Sequence, residues 1–367
     1  MSSALHIFAG RSAYAHLRTH GLQARDVALL PAAAGGPKGL ILQALDQWLF
    51  GTWLPSAPRP RTLIGASIGA WRMAAASQAD PVAAFTRLAE LYCEQTYPER
   101  PSAQYVTTEI SRLLQAFLAG HEAEILTQPL HRLQILCNRG AGALSAPLPG
   151  WPTKAGFARA ALANLRGRPQ LARHIERVVI GDTRADMAWM ETPFDDFRTH
   201  FCALNQDNLA PALLASGTLP LLMAPVTTLP GAPPGQYWDG GMIDYHLALP
   251  YARLAQDEPA ELVLYPHFGA RIVPGWLDKN LPWRSAASGA RRHWLDNVIL
   301  LAPSASFIAS LPRGKLPDRQ DFFHYGTDHR SRIRAWQQAI SASAALRDEF
   351  AAFVTQPDMG QVRALNF

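Results

Sequence analysis

Three cysteines in 367 residues, Cys93, Cys137 and Cys202, stand far apart and form no CxxC pair. A scattered, odd-numbered set speaks against a disulfide framework and against a zinc knuckle, and it fits a reducing compartment. Long apolar runs are missing as well, since no segment approaches the roughly 18 apolar residues of a spanning helix. The opening stretch MSSALHIFAGRSAYAHLRTHGLQARD lacks a charged leader followed by an apolar core, so no signal peptide is expected. Charge of one sign is also scarce. With 34 Lys and Arg against 29 Asp and Glu, the net charge is only +5 and the basic residues form no stripe. Nucleic acid is therefore not an expected partner, whereas an anionic membrane surface stays open as a peripheral contact. The expected setting is cytoplasmic.

Hydrophobic residues make up 48% of the chain and charged residues 17%, a globular composition with no low-complexity tract or internal repeat. The length suits one large α/β unit or two ordinary ones. DVALLPAA reads as a buried strand and GLILQALDQWLF as the helix after it; TLIGAS and IGAWRMAAAS repeat that order. Two strand, glycine turn, helix units near the start predict a mostly parallel sheet covered by helices. Further strands are expected at RLQILC, RVVIGD, THFCAL and ELVLYPHFG, with helices over 80–126 and DNLAPALLAS between them. GAGALSAPLPGWPTKAG reads as a surface excursion. We expect one core over residues 1–270 and a helical and loop-like C-terminal region, 271–367, packed upon it.

Chemistry concentrates at three places. GASIG, residues 65–69, is a GxSxG between a strand and a helix, a setting that lifts Ser67 out of a sharp turn with Gly65 and Gly69 supplying the room. The Ile68 N–H, at the helix start, would face negative charge developing beside Ser67. AGGPKG, residues 34–39, is a glycine-rich turn that exposes backbone N–H groups to a phosphate or an oxyanion. YWDGGMIDYH carries Asp239 ahead of Gly240 and Gly241, which alone is a plain turn signal. The phosphate alternatives fit poorly: GGPKGL lacks the spacing and the hydroxyl of a GxxxxGK[ST] loop, and no GxGxxG with a following acid is present.

In this order the three stretches resemble the patatin-like phospholipase family, over about residues 24–250. AGGPKG is similar to that family's oxyanion motif, GASIG to its nucleophile elbow, and Asp239 of DGG to the carboxylate of its dyad. VVIGDTRADMAW and NLAPALLASGTLPLLMAPV are similar to its intervening segments. The resemblance implies a three-layer α/β/α sandwich and a Ser/Asp dyad without histidine that hydrolyses lipid acyl esters, with phospholipid as substrate. By position, Ser67 would be the nucleophile and Asp239 the base. Gly35, Gly36, Lys38, Gly39 and Ile68 would surround the oxyanion. Three departures stand out: Ala34 replaces the first of three glycines, Pro37 has no N–H to donate, and Lys38 replaces the commoner arginine. No metal or organic cofactor is called for.

The alternatives are an acyltransferase using the same dyad and a non-catalytic lipid-binding protein with a relic site. His246 and His267 are the candidates for a Ser/Asp/His triad. Asp182, Asp186 and Asp244 are rival carboxylates, and His16 with His20 is a helical pair without a metal-binding companion. The tryptophans and arginines of GWLDKNLPWRSAASGARRHWLDN are expected to pack on the core and to solvate the outer face, respectively, with contact at a lipid interface as the alternative.

Overall fold

The computed structural model of the chain describes residues 3–145, 151–256, 261–281, 283, 284, 286 and 289–365. Part of the expected surface excursion, 146–150, and parts of the tryptophan- and arginine-rich stretch therefore lie outside the described residues.

Among the described residues ten strands form one sheet: β1 (Leu5–Ala9), β2 (Val27–Ala32), β3 (Arg61–Ala66), β4 (His131–Gly140), β5 (Ile175–Gly181), β6 (Thr199–Ala203), β7 (Tyr237–Asp239), β8 (Leu262–Pro266), β9 (Val298–Pro303) and β10 (Val362–Ala364). Their order is β10-β1-β9-β8-β2-β3-β4-β5-β6, with β7 paired to β4. The central run β9-β8-β2-β3-β4 is parallel throughout. Every residue of β2, β8 and β9 is buried. Their continuous apolar sequences are what a parallel strand covered on both faces requires. Helices flank this sheet, giving the mixed α/β architecture expected from the alternation of strand and helix.

Two local readings need correction. GLILQALDQWLF is not one α-helix: a 3-10 stretch, Gly36–Leu42, leads into the α-turns of Gln43–Trp48 and then a π-type segment, Leu49–Trp53. The glycines and Pro37 at its start disfavour regular winding. The stretch after residue 271 is likewise not only helix and loop. Val298–Pro303 is a fully buried strand between β1 and β8, and Val362–Ala364 adds an edge strand beside β1. VILLAP is too short an apolar run for periodicity to tell strand from helix.

What this frame positions is the carboxyl edge of its parallel strands, where ligands bind in open α/β sheets. The glycine-rich turn follows β2 and Ser67 follows β3. Asp239 ends β7, which pairs antiparallel to β4 with Cys137 opposite Asp239.

Candidate active site

Ser67 sits between β3 and the helix Ile68–Ala76 with φ 57° and ψ −131°, a backbone conformation that an L-residue adopts only when its surroundings hold it there. The two flanking glycines explain why the turn can be so tight. A Cβ at Gly69 would lie 1.9 Å from the Ala32 carbonyl oxygen, and one at Gly65 would lie 2.5 Å from the Ala70 nitrogen. Below the turn, the Ser67 N–H donates to Ser216 Oγ at 2.8 Å, and that hydroxyl donates to the Leu136 carbonyl at 2.7 Å. The strained residue is thereby tied to β4 through one buried serine.

The Ser67 hydroxyl donates to Asp239 Oδ2 at 2.7 Å. The second carboxylate oxygen, Oδ1, accepts the Gly241 N–H at 2.7 Å. Asp239 is fixed through its backbone too, its N–H reaching the Thr218 carbonyl at 2.8 Å and its carbonyl accepting Asn138 Nδ2 at 2.6 Å. The glycine pair of DGG allows this proximity, because a Cβ at Gly240 would meet the Leu136 carbonyl at 2.3 Å and one at Gly241 the Ala34 Cβ at 2.7 Å. Burial pushes the Asp239 carboxyl above its ordinary pKa, with the Arg319 charge and the Ser67 and Gly241 hydrogen bonds opposing. A desolvated carboxylate is a better proton acceptor than one in water.

Both groups open onto a cavity of about 230 Å³. Of the five expected oxyanion residues, Gly35 and Lys38 line it, whereas Gly36, Gly39 and Ile68 do not. Gly36 takes φ 59°. Gly35 lies so close to Phe268 that a Cβ would sit 2.5 Å from its ring. Among the described residues the N–H groups of Gly35, Gly36 and Ile68 have no acceptor, while those of Ala34 and Ser67 are taken by the Tyr245 carbonyl and Ser216.

The rival groups are engaged elsewhere. Asp244 and Asp195 clamp the buried Arg177 guanidinium. Asp182 pairs with Arg184, and Asp186 accepts the Ala188 N–H. His246 Nδ1 faces the Val273 N–H and the Arg271 carbonyl, and His267 Nδ1 faces Gly269. Neither ring lines the cavity, and burial drives both well below the usual histidine pKa, His267 to about 3. His16 faces Asp26 across 3.2 Å, and no cluster of three metal-ligating side chains occurs among the described residues. The expectation for the tryptophans holds only in part. Trp294 packs on the core, but Trp276 lines the cavity and Trp283 is 69% exposed. Arg284 does not merely solvate a face; it binds Asp278 and Asn164.

A serine on a strand-to-helix elbow, hydrogen-bonded to a carboxylate and open to a cavity at the edge of a parallel sheet, is the arrangement of a serine ester hydrolase. Family comparison gives the particular kind: the patatin-like phospholipase model matches residues 33–250, and the chain belongs to that family. Membership supports lipid acyl hydrolysis as the general activity. A comparison with curated proteins gives no match. Among the described residues no helix is long and apolar enough to cross a membrane.

Several lining residues could not be tied to Ser67 from the sequence, although Trp276 and Lys279 lie in the tryptophan- and arginine-rich stretch noted above. Trp276, Lys279, Asp318, Arg319 and Gln320 come from beyond the matched segment and reach the cavity only through the fold. Ser216 lies within the quoted NLAPALLASGTLPLL stretch, but its hydrogen bonds to the elbow become evident only in three dimensions.

Proposed function

We propose that the protein is a serine acyl hydrolase that cleaves lipid carboxylic esters, with Ser67 as nucleophile and Asp239 as base. The observation that carries this reading is the 2.7 Å hydrogen bond from the Ser67 hydroxyl to a buried carboxylate to which, among the described residues, no histidine hydrogen-bonds.

In the first half-reaction the Ser67 hydroxyl proton passes to Asp239 Oδ2 as Oγ bonds to the acyl carbon. The carbonyl oxygen becomes an oxyanion, received by the free N–H groups of Gly35, Gly36 and Ile68 with Lys38 adding charge. Each such donor is worth roughly 3–4 kcal/mol in acyl transfer. Collapse breaks the ester C–O bond, and the leaving alcohol takes the proton back from Asp239. In the second half-reaction Asp239 accepts a proton from water as the water oxygen bonds to the acyl carbon, and collapse breaks the acyl bond to Oγ, which takes the proton back from Asp239 as the acid leaves and Ser67 is restored. The cavity, at about 230 Å³, is smaller than the roughly 300–1,000 Å³ that encloses a drug-sized ligand. It therefore takes the reacting end of a lipid, while the chains run out past Leu219 and Pro220 toward the exposed Leu221, Leu222 and Trp276. That apolar rim suits peripheral contact with a lipid surface.

Intact mass after incubation with a fluorophosphonate tests the assignment. One adduct on the wild type, absent from Ser67→Ala, is the expected result. A folded wild type that takes no adduct and hydrolyses no short-chain ester would overturn it.

A further inference from the structure

Tyr245 lines the same cavity as Ser67 and Asp239, yet it takes no part in the reaction as written above. It follows the short helix Gly241–Asp244, whose last residue is clamped by Arg177. Its backbone is held at both ends: its N–H donates to the Pro274 carbonyl at 2.8 Å, and its carbonyl accepts the Ala34 N–H at 2.9 Å. The ring is held as well. His246 stacks on it with 4.3 Å between centroids, and Lys279 Nζ lies 4.1 Å from its centroid. One edge of the ring comes close to the base, because a Cβ on Gly241 would lie 2.9 Å from Asp239 Oδ1 and 3.3 Å from Tyr245 Cδ2.

The hydroxyl at the end of this fixed ring is unused. Tyr251 and Tyr265, also buried, donate theirs to the Leu247 and His246 carbonyls at 2.9 Å and 2.8 Å. Tyr245 is only 6% exposed, and among the described residues its hydroxyl has no hydrogen-bond partner. A buried polar group left without a partner calls for an explanation. Packing does not seal this one in: the sealed, unpartnered side-chain atoms include His246 Nε2 and His267 Nε2 but not the Tyr245 hydroxyl, which has the cavity to face. Burial raises the phenol above its ordinary pKa, with Arg319 opposing, so it stays protonated as a donor.

We infer that Tyr245 is a further catalytic residue, whose hydroxyl donates a hydrogen bond to the leaving-group oxygen as the ester C–O bond breaks. The assignment rests on the hydrolase reading above. In that reading Asp239 returns the proton, so the departing oxygen must come to Asp239. Tyr245 has its edge beside the same carboxylate, whereas the oxyanion is received by the N–H groups of Gly35, Gly36 and Ile68. Proton count is unaffected: Tyr245 keeps its own proton, and Asp239 supplies the one that the alcohol carries away. The hydrogen bond offsets the negative charge that builds on the oxygen before that proton arrives.

Two esters of one acid test the assignment, p-nitrophenyl hexanoate, whose leaving group departs unaided, and ethyl hexanoate, whose alkoxide needs help. For both, kcat/KM reports acylation, and rates are expressed per serine titrated by fluorophosphonate, so partial unfolding does not enter. Tyr245→Phe keeps the ring and removes an unpartnered hydroxyl, so the Tm should hold. Its kcat/KM should fall about tenfold or more on the ethyl ester, the worth of a hydrogen bond to a charged group, and less than about twofold on the p-nitrophenyl ester. Tyr265→Phe removes a hydroxyl bonded to the His246 carbonyl; it should lower the Tm and leave the ratio between the two esters at its wild-type value. A ratio unchanged in Tyr245→Phe overturns the assignment. So does an equal loss on both esters, which would move the hydroxyl to the oxyanion. A wild type active on the p-nitrophenyl ester alone overturns it too, since no help then reaches a poor leaving group. Hydrolysis of neither ester by the wild type, with no fluorophosphonate adduct, removes the hydrolase reading itself and Tyr245's role with it.

Discussion

Ser216→Ala removes two hydrogen bonds beneath the elbow, the one accepted from the Ser67 N–H and the one donated to the Leu136 carbonyl. Both groups are buried, so water does not replace the lost partner. An orphaned buried donor or acceptor costs about 1–3 kcal/mol, with carbonyls toward the low end because they keep a second lone pair. The expected loss of stability is therefore about 2–4 kcal/mol. At roughly 2.1 cal/mol/K per residue over 367 residues, 1 kcal/mol corresponds to about 1.3 °C, so the Tm should fall by about 3–5 °C. The same deletion frees the backbone of Ser67, whose positive φ stores about 1–3 kcal/mol, and lets the turn relax. A displacement of about 1 Å at the hydroxyl is enough to slow its reaction on the order of 100-fold. Scanning calorimetry and the rate of fluorophosphonate labelling measure the two effects on one sample. An unchanged Tm together with an unchanged labelling rate would refute the claim that Ser216 holds the elbow.

Other substitutions address other parts of the site. Gly69→Ala drives a methyl group into the Ala32 carbonyl and should abolish labelling along with the native Tm, as read by calorimetry and intact mass. Asp239→Asn should slow labelling about 10²–10⁴-fold, the span of general base catalysis, and wild-type labelling should decline as pH falls through the raised Asp239 pKa. Stability runs the opposite way. A raised folded pKa contributes stability that is fully present below the unfolded value and is lost as pH rises through the folded one. The Tm of Asp239→Asn should therefore gain on that of the wild type between pH 4 and pH 7, and a difference that shrinks with rising pH would contradict the dominance of burial. His246→Asn should lower the Tm by loosening the Val273 contact but label Ser67 at the wild-type rate per folded molecule. Loss of labelling without unfolding would bring a histidine base back.

What could be read from the sequence was local in character. GASIG, AGGPKG and DGG each declare a turn through glycines, and the structure explains most of them: a Cβ at Gly35, Gly65, Gly69, Gly240 or Gly241 would strike a neighbour, and Gly36 takes a positive φ. The alternation of apolar strand and helix likewise marked β2, β3 and β8 with little ambiguity. Other elements depended on partners far away in the chain. Val298–Pro303 is a strand because β1 and β8 leave a gap of its width, a fact absent from VILLAP itself. Lys279 and Arg319 offered no motif at all. Their relation to Ser67 arises from how the last part of the chain wraps back over the sheet edge. Ser216 is the intermediate case: its segment was noticed, but a buried serine that ties two strands together looks like any small helical residue until both acceptor and donor are in view.

The interior seat of β9 has a consequence for biosynthesis. Among the described residues Leu5–Ala9 pairs with Val298–Pro303 and Val362–Ala364, so this strand leaves the ribosome well before the strands it pairs with. At about 5–20 residues per second the wait is on the order of tens of seconds. Throughout that interval an apolar strand stays without its neighbours and the nascent chain is open to wrong pairing and to chaperones. Trp276, Lys279, Asp318, Arg319 and Gln320 are made late in the same interval, so the elbow with Ser67 emerges well before the cavity beside it is complete.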